Sequence, residues 1–258
     1  MAQLEAEAAE ARPDAAARPG EASRPDGACA HEIAGAQGAV ELVACPTGVA
    51  WWPAARTVLV ADLHLEKGTS FARRGVLLPP HDTAITLDRL AAALDRWRPA
   101  RVVALGDSFH DAEGPERLTL PDRRRLAEVQ RGREWVWVTG NHDPLGADTP
   151  LEGEVVDEVR EGGLTLRHEP QTGAPDEVAG EIAGHLHPKA AIVLGGRRIR
   201  RSCFAGDAHR MILPSFGVYT GGLSVFHRAF AGLFEGRRFH ALMRGDDRVF
   251  KIAGTRLV

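Results

Sequence analysis

The chain has 258 residues, 44% hydrophobic and 26% charged, with a formal net charge of -3. That is enough for one sizeable core or a large α/β domain, and the balance excludes a generally cationic nucleic-acid coat, although a local basic patch or bound metal ions can still attract phosphate. The three cysteines, Cys29, Cys45 and Cys203, are odd in number and lack Cys-x-x-Cys spacing, which argues against a disulfide framework or a thiolate zinc site and fits a reducing cytoplasm.

Residues 1–38 are rich in Ala, Pro, Gly, Glu and Arg and poor in large apolar side chains, so they read as a mostly disordered extension before a folded domain at 39–258. A weak helical pattern at 4–17 is interrupted by Pro13 and closed off by Pro19. There is no secretory signal and no apolar run of bilayer length, so the expectation is a cytoplasmic protein with no membrane partner. Residues 40–44 and 48–52 predict a hairpin around Cys45-Pro46-Thr47-Gly48. The run 57–61 predicts a strand that ends at Asp62-Leu63-His64. After a loop, Leu87, Leu90, Ala91, Leu94 and Trp97 fall at helical spacing, and Pro99 ends the segment. Residues 101–105 predict a strand entering Gly106-Asp107-Ser108-Phe109-His110-Asp111, and 121–130 predict a helix capped by Thr119. The strand at 135–139 enters Gly140-Asn141-His142-Asp143.

In the second half, 163–168 and 178–187 read as strands ending in histidine. Shorter strands are expected at 191–194, 198–201, 211–213, 223–226, 238–243 and 249–252, with hairpin turns at Gly195-Gly196 and Gly245-Asp246. The first half therefore predicts parallel strands with right-handed crossovers, and the second half is more antiparallel. In parallel sheets sites assemble outside the carboxyl ends of the strands, where Asp62, His64, Asp107, Asn141 and His142 would emerge.

These residues make sense as a two-metal site. Two divalent ions about 3.5–4 Å apart need a bridging ligand, for which Asp107 is the candidate. Imidazoles and a neutral amide complete a donor set that suits manganese, iron or zinc better than calcium or magnesium. With only Asp62 and Asp107 as anions, positive charge is left to attract a phosphoryl oxygen.

The blocks Asp62-Leu63-His64, Gly106-Asp107, Gly140-Asn141-His142-Asp143, His168 and Gly184-His185-Leu186-His187 resemble, in this order, those of the calcineurin-like metallophosphoesterases. The resemblance implies Asp62, His64, Asp107 and His187 on one metal, and Asp107, Asn141, His168 and His185 on the other, with His142 as proton donor to the substrate. One departure is visible: His110 stands where an aspartate is usual, followed by Asp111, which leaves the supporting carboxylate unassigned. A narrower resemblance runs from Asp62 to about Phe226. Leu65-Glu66-Lys67-Gly68, Leu78-Pro79-Pro80, His168-Glu169-Pro170 and Leu213-Pro214-Ser215-Phe216-Gly217 are similar to the ligase-associated DNA damage response endonuclease group (PdeM) of bacterial phosphoesterases. It implies a four-layer α/β/β/α sandwich and manganese-dependent cleavage of phosphodiesters by a metal-activated hydroxide. It also implies a DNA substrate and functional association with repair ligase, helicase or exonuclease proteins.

Plainer readings apply elsewhere. His81, His209, His227 and His240 read as surface or satisfied core histidines, His110 equally as a support or a packing residue, and Trp135 and Trp137 as core. The run Arg197-Arg198-Ile199-Arg200-Arg201 reads first as a solvated hairpin guarding a sheet edge and second as a phosphate contact. Arg73 and Arg74, in the loop after the first ligand block, are better placed to meet substrate. The alternative functions are a phosphomonoesterase or small-nucleotide hydrolase on the same core, and a non-catalytic scaffold. An intact ligand set with His142 argues against the scaffold.

Overall fold

The computed structural model describes residues 27–35, 37–79, 81–143, 149, 151–173 and 180–258. The expected helix at 4–17 lies outside them. The fold is mixed α/β with two large sheets and few helices. The first sheet has seven strands in chain order: β1 Cys29–Gly35, β2 Gly38–Ala44, β3 Ala50–Trp52, β4 Thr57–Val60, β5 Arg101–Leu105, β6 Glu134–Val138 and β7 Glu154–Val156. Strands β4 to β7 are mutually parallel, as the alternation of strand and helix in this region predicts, and β1 to β4 are antiparallel.

Four helices are described: α1 Lys67–Arg73, α2 Asp82–Trp97, α3 Gly114–Arg117 and α4 Leu120–Gln130. The side-chain alternation of the central strands fixes the layering. Val58, Val60, Val102, Ala104, Trp135 and Trp137 point to the face where Leu87, Leu90 and Leu94 of α2 and Leu126 and Val129 of α4 pack. Leu59, Val103, Leu105, Val136 and Val138 point to the other face, against Leu166, Ile182, Phe204, Met211 and Leu242 of the second sheet. Both faces of β4, β5 and β6 are thus covered, and their near-continuous apolar runs follow from that. Thr119 caps α4 by accepting from the Asp122 N–H at 3.2 Å.

The second sheet comprises β8 Glu158–Glu161, β9 Leu164–Arg167, β10 Gly180–Ala183, β11 Lys189–Leu194, β12 Arg197–Gly206, β13 Arg210–Ile212, β14 His240–Arg244 and β15 Val249–Ala253. Its order is β15-β14-β12-β13-β10-β9-β8, with β11 paired to β12 across the Gly195-Gly196 turn. Strands β9, β10 and β13 are parallel and the other pairings antiparallel.

Several expectations need correction. Cys29–Gly35 pairs along its length with β2, so the folded part reaches back beyond residue 39. Its alternation is legible only in part, because Ile33 is its one large apolar residue. The stretch read as a loop after His64 contains α1. Strands β7 and β8 were too short and polar to stand out. Residues 223–226 form no strand; only an isolated bridge from Lys189 to Ser224 occurs, while Val225 packs with Phe239 and Leu257. Where the four-layer sandwich implies a second helical layer, the described residues place this segment and a 3-10 turn at Arg228–Phe230 against the second sheet, and no α-helix follows α4 among them. No described helix is long and apolar enough to cross a membrane.

Strand β1 also ties the sheets together: the Ala34 N–H donates to Ala208 O at 2.7 Å, His31 Nε2 donates to Asp207 O at 2.7 Å, and Ile33 is fully buried. Deleting residues 1–38 is therefore expected to destabilise the fold by more than the roughly 2–5 kcal/mol that truncating one buried Ile costs. Denaturant unfolding of the truncated chain checks this; an unchanged midpoint would contradict it.

Candidate metal centre

The carboxyl ends of five strands from both sheets deliver polar side chains to one place. Strand β4 runs into Asp62 and His64, β5 into Asp107, β6 into Asn141 and His142, β9 into His168, and β10 into His185 and His187. Backbone hydrogen bonds join these turns: His64 N–H to Asp107 O at 2.9 Å, Gly184 N–H to His168 O at 2.9 Å and Gly217 N–H to Asp62 O at 3.1 Å. Asp62, His64, Asp107, His185 and His187 all have positive φ, between 44° and 68°, and they are five of the nine described non-glycine residues that do. Such backbone costs about 1–3 kcal/mol per residue, so its concentration here marks a geometry held against local preference.

Two groups of side chains result, Asp62 with His64 and His187, and Asp107 with His168 and His185; within each the ligand atoms lie within 4.8 Å of one another. In the first, His187 Nε2 is 3.2 Å from Asp62 Oδ1, and His64 Nε2 is 3.4 Å from His187 Nε2. Burial first, and then the charge of His187, push the His64 pKa down to about 2, so this ring is neutral with a lone pair to offer. Asp107 faces both groups: Oδ1 lies 3.3 Å from His168 Nε2 and Oδ2 lies 3.8 Å from His64 Nε2.

The donor chemistry of the second group fits a cation. His168 Nδ1 is 2.9 Å from the Leu105 carbonyl, which can only accept, so a neutral ring carries its proton there and turns its Nε2 lone pair inward. That lone pair meets the Asn141 amide oxygen at 2.9 Å, His185 Nδ1 at 3.2 Å and Asp107 Oδ1 at 3.3 Å. One tautomer of His185 can donate to it, but the Asn141 and Asp107 oxygens only accept, and a cation among these atoms would relieve their repulsion. The two clusters thus fit two metal ions.

Small residues let the ligands approach. A Cβ on Gly106, itself at φ 75°, would lie 2.4 Å from the His168 ring, and one on Gly140 would lie 2.2 Å from the Asp107 nitrogen. The unassigned supporting carboxylate is Asp143. It is fully buried, its Oδ2 accepts from the Phe109 N–H at 2.8 Å, and burial pushes its pKa up to about 8, with the Asp107 charge adding to the rise. Its place in Gly-Asn-His-Asp was the signal in the sequence. Asp111 instead binds Arg117 at 2.7 Å.

His142 is exposed and joins neither cluster. Its backbone N–H donates to Asp107 Oδ1 at 2.9 Å, and its Nδ1 donates to the His110 carbonyl at 3.2 Å, leaving Nε2 without a partner among the described residues. The His110 ring stacks on it at 5.4 Å and 21° and also contacts Phe71 and His64, which makes His110 a wedge between ligand and neighbour. Arg73 and Arg74 are not in a loop: Arg73 ends α1 and pairs with Glu113, and Arg74 caps the helix. His81, His209, His227 and His240 belong to neither cluster.

No protein-family model and no curated protein matches the chain. Among solved structures, the nuclease MPE of Pseudomonas putida shares the fold with a TM-score of 0.63 at 27% identity, over 87% of this chain and 100% of that one. The chain is similar to a nuclease. A protein of unknown function from Aquifex aeolicus gives a TM-score of only 0.35 at 16% identity, over 51% of this chain and 78% of that one.

Gly106→Ala should displace the His168 ring and weaken metal binding by about 10–100-fold, the range seen when a ligand's support is lost. Calorimetric titration with manganese checks this, and unchanged affinity would mean that the ring is free to move.

Proposed function

We propose that this chain is a dimetal phosphodiesterase of the calcineurin-like kind that cleaves nucleic acid, an endonuclease acting in cytoplasmic DNA repair alongside ligase, helicase or exonuclease proteins. The observation that carries this reading is the Asp107 carboxylate, with one oxygen toward each cluster, as a bridging ligand requires. The likeness to a nuclease supports nucleic acid as the substrate class.

Two divalent ions, with manganese preferred for this mixed imidazole, amide and carboxylate set and iron or zinc as alternatives, supply Lewis acidity to the phosphoryl group and a more acidic water. The chain does the rest. Asp62, His64 and His187 would hold one ion and Asn141, His168 and His185 the other, with Asp107 serving both. With only two carboxylates among these ligands, the centre keeps enough positive charge to draw in a phosphodiester anion. His142, anchored through Nδ1 to the His110 carbonyl, offers Nε2 to protonate the departing oxygen. Arg74, exposed beside His110, is the better placed of the two arginines for a substrate contact, since Arg73 is engaged by Glu113.

With manganese, the purified chain should hydrolyse a nitrophenyl phosphodiester and an oligonucleotide in preference to a nitrophenyl monoester. Activity confined to the monoester would favour the phosphomonoesterase alternative, and no activity on any of them would overturn the reading. Asp107→Asn should remove most activity, because an amide cannot replace a bridging anion.

His142→Ala should retain both metals yet slow oligonucleotide cleavage by about 10²–10⁴-fold, the usual contribution of a positioned acid. Nitrophenolate leaves without a proton, so the chromogenic diester should suffer less. Equal losses on both substrates, or loss of metal, would contradict the acid role.

A further inference from the structure

Beside the metal centre lies a cleft of about 350 Å³ whose lining includes Arg89, Lys189, Arg200, Arg201 and Arg244 and no described carboxylate. Its wall is the segment from Ser215 to Gly221, which is built onto the ligand-bearing turns. Phe216 N–H donates to Ala61 O at 2.9 Å, and a Cβ on Gly217 would lie 2.2 Å from Leu63 O. On the other side, Lys189 follows the ligand His187 by two residues, and a Cβ on Gly222 would lie 2.5 Å from His187 O. The cleft wall therefore packs directly against the turns that carry Asp62 and His187.

These cations lack the usual reasons to be together. None of the five forms an ion pair with a described carboxylate. Arg89 instead lies over the Phe216 ring at 4.9 Å. Arg244 is fixed by the Pro46 and Thr47 carbonyls at 2.7 and 2.9 Å, and Arg200 by the Gly222 carbonyl at 3.0 Å. Burial lowers the pKa of Arg89, and burial followed by repulsion from Arg89 lowers that of Arg244, to about 10. With Arg89, Arg200 and Arg244 held in place and Lys189 and Arg201 beside them, the cleft gathers like charges with no described carboxylate to balance them.

We infer that this cleft binds a backbone phosphate of a nucleic-acid strand, next to the phosphate held at the metal centre, so that Arg89, Lys189, Arg200 and Arg201 set the path of the strand. The inference rests on the proposed nuclease reading. A sequence-independent role follows, since guanidinium and ammonium groups meeting phosphate carry no base information.

The test is the salt dependence of binding of a fluorescent single-stranded oligodeoxynucleotide to the full-length protein, measured by anisotropy with chelator present so that the strand is not cut. The double variant Arg89→Gln/Arg201→Gln should weaken binding and lower the slope of log affinity against log salt by about 0.7 per lost phosphate contact. Arg124→Gln, a charge removed from the exposed side of α4, should leave the slope unchanged. Thermal melts of both variants control for folding, and Arg200→Gln on the surface of β12 gives a second, milder variant. An unchanged slope in folded pocket variants, an equal loss in Arg124→Gln, or no oligonucleotide binding by the wild type would overturn the inference. Loss of the slope in a protein that hydrolyses no diester with manganese would leave the strand site standing and refute the nuclease reading instead.

Discussion

The constraint on which the molecule depends is the crowding of imidazole, amide and carboxylate atoms brought together at the strand ends. The Leu105 carbonyl takes the His168 ring proton, leaving the Nε2 lone pair within 3.3 Å of two oxygens and a second imidazole. A cation among them would relieve it, and five of the clustered residues take a costly left-handed backbone to take part. The two-sheet sandwich makes it tolerable. Its buried strands arrive from both sides with their ends joined by hydrogen bonds, so the turns cannot relax apart without breaking the apolar layer between the sheets.

This also explains the division of labour around the centre. Asp143 is buried, and it fixes the loop that carries Asp107 through the Phe109 N–H, while His110 braces His64 and His142 with its ring. Neither has to touch a metal to matter. Beyond the ligands, charge is distributed unevenly: the cleft by Ser215 to Gly221 is lined by cations, whereas the cleft beside Asn141 and His168 includes Asp157, Glu158 and Glu169. Under the proposed nuclease reading, a polyanionic strand would be drawn toward the cationic cleft.

Much of this was legible in the sequence because the chemistry sits where periodicity changes. Apolar runs at 57–61, 101–105 and 135–139 stop at Asp62, Asp107 and Asn141, and the structure places a strand end at each. What was not legible depended on tertiary context. Strand β1 looked like part of a disordered tail because Ile33 is its one large apolar residue, and its register is set by pairing with β2. Helix α1 was hidden because its start is fixed by the buried Glu66, held by Thr69 and Thr83, and by Asp82 bonded to the Gly68 N–H. The arginines of β12 read as edge protection in one dimension; only folding brings two of them beside Arg89 and Arg244.

The most direct test of the central claim is a crystal structure of the protein grown with manganese, with anomalous scattering collected at the manganese edge. Two peaks about 3.5–4 Å apart, bridged by Asp107 and flanked by the two histidine groups, are the predicted result. A single peak, or none at saturating metal, would contradict the account, because the converging lone pairs would then have to be neutralised by protons and not by two cations.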